Sequence, residues 1–299
     1  MRANPIGFGY ACISELTGRT TGHTCTLKFT TPDRLHQLIR QNLDELQAIL
    51  EHNVANDWRL FRISSGIIPF ASHPINKLKW WNEFARPLAQ VGKYARTNQL
   101  RLSMHPGQFT VLNSPDARIR RASVAELAFA ARFFDALRLN AEHKIIVHID
   151  GVYGNKPSAM KRFERESNNL PAEIRRRLVI ENDERSYTVA DALAISDQCG
   201  LPVVFDYLHD RANPSGTIDD LMPRVFRTWR ARDGKPKVHF SSQARAARPG
   251  KHAGWVDPLE FKATLRAWKQ FGEFDVMLEA KRKDAALERA LREIRRRKQ

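Results

Sequence analysis

Eight times along this 299-residue chain, a short apolar run gives way to a longer stretch with helical periodicity. The runs are "PIGFGYAC", "WRLFRIS", "LRLSMH", "KIIVHI", "LVIEND", "PVVFDYLH", "KPKVHFSS" and "FDVMLEAK". Each reads as a strand. The stretch after the first places Leu35, Leu38, Ile39, Leu43, Leu46, Ile49 and Leu50 at helical spacing, with Thr31 as N-cap, Pro32 at the first helical position and Asp33 in the first turn. "INKLKWWNEFARPLAQVGKYART" reads as one helix kinked at Pro87, and "TVADALAISDQCG" as a helix capped by Gly200. A strand-helix unit every roughly 30–40 residues is the repeat of a (β/α)8 barrel, also called a TIM barrel. No linker rich in Gly, Ser or Pro divides the chain, so one domain over residues 1–299 is expected, with a basic C-terminal tail from about residue 282. The competing α/β architecture, a doubly wound open sheet, lacks support: no glycine-rich phosphate fingerprint follows the first strand.

Charge narrows the partner. Lys and Arg number 49 against 33 Asp and Glu, a formal charge of +16, which points to a polyanion and most often to nucleic acid. Hydrophobic content of 42% is enough for a sizeable core. Cys12, Cys25 and Cys199 are odd in number and lack metal-ribbon spacing, so neither a disulfide framework nor a zinc ribbon is expected, and a reducing cytoplasm fits. The opening "MRANPIGFGYACISE" has no signal-peptide core, and no apolar run is long enough to span a bilayer. The expected protein is cytoplasmic, with no membrane partner.

The strand ends carry chemistry. The third run ends at His105, the fourth at His148, the fifth at Glu181, and the sixth at Asp206 with His209 one turn later. The seventh ends with Lys237 and His239, the eighth at Glu279, and the loop "SSGIIPFASHP" after the second supplies His73. A barrel gathers its C-terminal strand ends on one face, where the active site lies. Any single histidine here could be a hydrogen-bonded core residue. Six such ends together could not, because a buried charge without a partner costs several kcal/mol. Imidazoles and carboxylates without thiolates suit zinc, manganese or iron, and bridging carboxylates suit more than one ion. On the same face, "SQARAARPGKHAG" carries Arg245, Arg248, Lys251 and His252 with no acid, as a phosphate-gripping loop would. After His105, Pro106-Gly107 turns the chain and leaves Gln108 and Phe109 on a tight loop.

Taken in order, "FRISS", "PFASHP", "LSMHPGQF", "VHIDGVYG", "IENDE", "PVVFDYLH", "PKVHFSSQ", "PGKHA" and "VMLEAK" resemble the UV damage endonuclease family along nearly the whole chain. The family is similar in fold to endonuclease IV. The resemblance implies a DNA repair hydrolase that nicks immediately 5′ of cyclobutane dimers, 6-4 photoproducts and related lesions, abasic sites among them, and leaves a 3′-hydroxyl and a 5′-phosphate. It implies two or three divalent ions, usually manganese, with magnesium, zinc or cobalt as alternatives. They would be held by His73, His105, His148, Glu181, Asp206, His209, His239 and Glu279, joined by His252. Glu181 and Glu279 would bridge ions or steer the attacking water. Lys237 matches a lysine that can be carboxylated in the family. Gln108 and Phe109 match a pair that probes the duplex, with Phe109 where the family often has tyrosine. Tyr10 matches an aromatic near the lesion pocket. Arg245, Arg248 and Lys251 would hold flanking phosphates. The partner is then damaged double-stranded DNA, bound by a monomer in the cytoplasm, at the nucleoid of a prokaryote. Three other readings compete: a general abasic-site endonuclease, a metal-dependent sugar isomerase, which needs neither the +16 charge nor a projecting aromatic, and a non-catalytic DNA-binding barrel, which has no use for the strand-end ligands.

Overall fold

The computed structural model describes residues 6–296. Eight parallel strands close a barrel: β1 (Gly7–Ala11), β2 (Leu60–Ile63), β3 (Arg101–Met104), β4 (Lys144–His148), β5 (Leu178–Glu181), β6 (Val203–Asp206), β7 (Lys237–Phe240) and β8 (Asp275–Leu278). Each pairs with its sequence neighbours, and β1 pairs with β8 to complete the ring. The helices between them are α1 (Pro32–Ala55), α2 (Ala85–Thr97), α3 (Ala117–Ala136), α4 (Lys156–Asn168), α5 (Val189–Cys199), α6 (Ile218–Thr228), α7 (Pro258–Trp268) and α8 (Lys283–Arg296). The expected barrel is therefore present.

Local rules place the helices. The Thr31 hydroxyl accepts from the Arg34 amide and caps α1, whose buried stripe includes Leu35, Leu38, Ile39, Leu43, Leu46, Ile49 and Leu50. Gly200 ends α5 at φ +65°, a conformation in which a side chain would be strained. Two details differ from the sequence reading. Pro87 does not kink a long helix. The chain breaks at Phe84, and Pro87 sits in the first turn of α2, where its missing N–H has no helical acceptor to lose. Residues 283–296 are the Lys/Arg-rich closing helix and not a solvated tail. They form α8, which buries Ala286, Leu287, Ala290 and Leu291, while residues 297–299 lie outside the described region. Asp284 of α8 accepts from the Ser14 hydroxyl at 2.5 Å and the Glu15 amide at 2.7 Å, tying the β1–α1 loop to the last helix.

The barrel interior holds a polar layer at its N-terminal end. Lys144 donates to Asp233 at 2.6 Å, and Arg101 pairs with Asp275. Asp275 also accepts from the Gly7 amide at 3.0 Å. Lys237 belongs to this depth. It starts β7 rather than ending it, and it lies opposite Asp275 in register. Cys12, Cys25 and Cys199 are all free thiols. No described helix is long and apolar enough to cross a membrane.

Candidate metal centre and the loops around it

The C-terminal ends of β3 to β8 bring their polar residues to one level. His148 lies opposite Glu181, and Asp206 lies opposite His239. His105 and Glu279 each follow the last residue of their strand. Two groups of ligand atoms result, each within 4.8 Å: His105, His148 and Glu181; and Glu181, Asp206, His239 and Glu279. Glu181 belongs to both. One of its carboxylate oxygens meets His239 Nδ1 at 2.6 Å, and the other faces His105 Nε2 at 3.3 Å and His148 Nε2 at 3.7 Å. Glu279 meets His239 Nδ1 at 3.0 Å and accepts from the Arg62 guanidinium at 2.5 Å.

His209 and His252 extend the cluster. His209 Nδ1 lies 3.7 Å from Asp206, and His252 Nδ1 lies 3.9 Å from Glu279. The rings of His105, His148, His209 and His252 follow one another at centroid distances of 5.0, 5.7 and 5.7 Å. His73 stands apart. It is exposed on the loop after β2, its Nδ1 accepts from the Ile75 amide, and it belongs to neither group.

The electrostatics describe a site short of positive charge. Burial alone would raise the Glu181 carboxyl, yet the imidazoles of His239, His148 and His105 around it hold it well below the usual carboxylate range. Burial likewise opposes the charge on Glu279, and Arg62 and His239 override it. Asp206, buried beside Glu181 and Glu279, is pushed up. Burial disfavours the imidazolium of His239, but Glu181 and Glu279 raise it to about 9. Asp206, Glu181 and Glu279 do the same to His209, again against its burial. Buried His148 falls to about 4. Three buried carboxylates thus gather whatever protons their imidazoles can supply.

Hydrogen bonds do not complete the site. Glu181 Oε2, Asp206 Oδ2, His239 Nε2 and His148 Nδ1 are buried without a hydrogen-bond partner. Buried polar atoms are nearly always satisfied. Carboxylate oxygens and imidazole nitrogens gathered within 4.8 Å are a donor set for divalent cations, so the residues present fit the implied metals.

Sequence reasoning missed two supports. Arg62, inside β2, anchors Glu279. Its signal is a charge inside the apolar stretch Leu60–Ile63. Asn182 holds Asp206 through paired backbone contacts at 3.1 and 2.9 Å, and its carbonyl meets His209 Nδ1 at 3.0 Å. Its position directly after Glu181 was the available clue.

The loops on this face carry the other expected residues. Gly107 O accepts from the Thr110 amide at 2.9 Å, so Gln108 and Phe109 occupy the two corners of a tight turn. Phe109 is 82% exposed, and it is not a core residue. Arg245, Arg248 and Lys251 are exposed on a small hairpin. It is closed by pairing of Gln243 with His252 and by Ala244 N to Lys251 O at 2.7 Å. Tyr10 requires a correction. It is fully buried, its hydroxyl donates to Asn53 of α1 at 2.8 Å, and its ring packs on Trp58 and Phe61. Successive strand residues face opposite sides, and Tyr10 faces the helix layer, away from any DNA.

Apolar exposure is one-sided. Among the described residues, the exposed large apolar side chains are Ile13, Leu16, Leu27, Phe29, Phe109, Ile119, Tyr153, Trp255 and Leu259. All lie between a strand's C-terminal end and the first turn of the next helix. The face with the acid-imidazole cluster is therefore also the face with uncovered apolar surface.

Known proteins are similar to this chain in sequence and fold. A model of the family described as UV-endonuclease UvdE matches residues 6–299. A UV DNA damage endonuclease of Clostridium perfringens is 39% identical over 92% of this chain and 68% of its own length. One from Bacillus cereus is 36% identical over 88% and 83%. The crystal structure of SacUVDE superposes with a TM-score of 0.90 at 33% identity, covering 97% of each chain. Endonuclease IV from Thermus thermophilus shares the fold, with a TM-score of 0.57 at 17% identity over 84% of this chain and 93% of that one. With the match spanning every strand and every residue of the cluster, the chain belongs to the UV-endonuclease UvdE family.

Proposed function

We propose that the chain nicks damaged double-stranded DNA immediately 5′ of UV lesions and leaves a 3′-hydroxyl and a 5′-phosphate. The single observation that carries the reading is the pairing, on one face, of an unsatisfied acid-imidazole cluster with an exposed Gln108–Phe109 turn. Divalent cations, manganese first, would be held by His105, His148, Glu181, Asp206, His209, His239, His252 and Glu279. When bound they polarise the scissile phosphate and make a nucleophile of water at neutral pH. The exposed His73 would join on DNA binding.

The residues divide the work. Glu181, shared by both ligand groups, fixes their spacing. Arg62 orients Glu279, and Asn182 orients Asp206 and His209. Lys237 would supply a fourth anion. Its Nζ is buried with no hydrogen-bond partner, and burial together with Arg101 pushes its ammonium well down. A neutral amine of that kind can add carbon dioxide and release a proton, which would turn it into a carbamate anion. Arg245, Arg248 and Lys251 would neutralise flanking phosphates. Phe109 would wedge into the stack and Gln108 would satisfy bases that have lost their partners. A lesion already weakens pairing, so opening there costs less than in intact duplex.

The test uses end-labelled duplexes carrying a dimer, an abasic site or no lesion, incubated with the protein and Mn²⁺. The expected result is a nick directly 5′ of the dimer. Incision at the abasic site alone would favour a general abasic-site endonuclease, and no incision of any duplex would reject DNA cleavage.

A further inference from the structure

Beyond His148 the chain passes through Asp150, Gly151, Val152, Tyr153 and Gly154 before α4 begins. Three of these five are left-handed: Asp150 at φ 70°, Tyr153 at φ 51° and Gly154 at φ 73°. A bulky side chain at such an angle is strained, and strained residues persist where function or packing holds them. Packing buries little here. Tyr153 is 46% exposed, and its hydroxyl has no hydrogen-bond partner among the described residues.

The ring is nevertheless held in place. It lies flat over Gly151, where an added Cβ would come within 2.6 Å of two ring carbons. The Arg162 guanidinium sits 5.5 Å from its centroid. The same Arg162 donates to the Asn113 carbonyl at 2.9 Å, and Asn113 donates to the Gly151 carbonyl at 2.7 Å. Asn113 belongs to the loop that carries Gln108 and Phe109. Two exposed aromatics, Phe109 and Tyr153, are thus presented by two loops that are bonded to each other. One loop follows His105 and the other follows His148.

We propose that Tyr153 is a second DNA-contacting aromatic and a specificity-determining residue, which stacks on a nucleobase of the distorted duplex beside the phosphate at the His148 end of the site. The ligand class follows from the surroundings: a flat aromatic face with a cation behind it suits a base whose own phosphates are anionic. The backbone strain is tolerated because it aims the ring outward. This inference rests on the reading that the chain acts on damaged DNA.

The test is Tyr153→Gly, because glycine adopts φ near 51° without strain. Affinities for dimer-containing and undamaged duplexes are measured by gel shift in a Glu181→Gln background, which prevents nicking, with a melting curve for each variant. Tyr153→Gly should leave the melting temperature unchanged or raise it. It should weaken binding to the damaged duplex about tenfold, as loss of one stacked base would, and change undamaged binding much less. Tyr153→Phe should restore the preference. A Tyr153→Gly variant that keeps the parent's damaged-to-undamaged ratio, whatever its melting temperature, overturns the proposal and leaves Tyr153 as a cover for Gly151. A parent protein that shows no preference for damaged duplex overturns the broader reading instead.

Discussion

One barrel encloses two polar clusters, and they are built on opposite principles. At the N-terminal end acid and base meet in pairs: Lys144 with Asp233, and Arg101 with Asp275. At the C-terminal end Glu181, Asp206 and Glu279 share Arg62 and a set of titrating imidazoles, and several of their atoms have no hydrogen-bond partner. The lower cluster is finished by the protein itself. The upper one keeps carboxylate and imidazole atoms that no hydrogen bond satisfies. Satisfaction, not burial, separates a structural charge cluster from a functional one. Lys237 lies between them, at the depth of the lower layer but with the unsatisfied nitrogen of the upper.

The largest effect should come from breaking each cluster in turn. Glu181→Gln should abolish nicking while lesion binding and folding largely survive, since it removes a ligand but keeps the side chain's volume and an oxygen that can accept from His239. Asp233→Asn should instead destabilise the fold by about 3–5 kcal/mol, the usual result of leaving a buried charge unpaired, while the folded fraction still nicks. Nicking, gel shift and denaturant midpoints on the same preparations check this. Stability loss in the first variant with activity loss in the second would reverse the assignment.

The next effect is a pH dependence. His239 and His209 have pKa values raised from 6.5 to about 9 in the metal-free fold. A raised imidazole pKa adds stability that is fully present below 6.5 and is lost as pH rises through about 9. Metals compete for the same nitrogens, so they must displace protons at low pH and need not at high pH. The rise in melting temperature on adding manganese should therefore grow from pH 6.5 towards 9. A pH-independent rise would mean that those two imidazoles are not ligands.

Much of this contrast was legible in the sequence, for physical reasons. The change from short apolar runs to helical spacing is written in every unit, so the barrel and the Thr31 and Gly200 caps followed. Strand ends follow once strands are known, which located Glu181, Asp206, His239 and Glu279. Depth and direction did not follow. Whether Tyr10 faces the helices or the barrel interior depends on the phase of the alternation, and both neighbours, Gly9 and Ala11, are small enough to leave the phase unmarked. Lys237 and His239 share a side of β7, but a spacing of two says nothing about which end each is near. Arg62, Asn182 and Tyr153 act through partners far along the chain, or through backbone angles that no spacing reveals.

Smaller effects should come from the rim. Phe109→Ala should weaken binding to dimer-containing duplex ten- to a hundredfold, from the roughly 1–3 kcal/mol of one stacked base, with Phe109→Tyr nearly silent and the melting temperature unchanged because the ring is exposed. Equal loss on undamaged duplex would remove its discriminating role. Arg248→Ala or Lys251→Ala should weaken both duplexes alike and lower the slope of log affinity against log salt by about one each. An unchanged slope would take that residue off the phosphates.

The most direct measurement is an anomalous difference map from crystals soaked in Mn²⁺, with the same preparation assayed for nicking before and after metal removal. Peaks should lie among Glu181, Asp206, His239 and Glu279 and beside His105 and His148, with none near Lys144 and Asp233, and nicking should vanish and return with the metal. Undiminished nicking by metal-free protein, or peaks confined to other parts of the molecule, would contradict a metal centre at the mouth of the barrel.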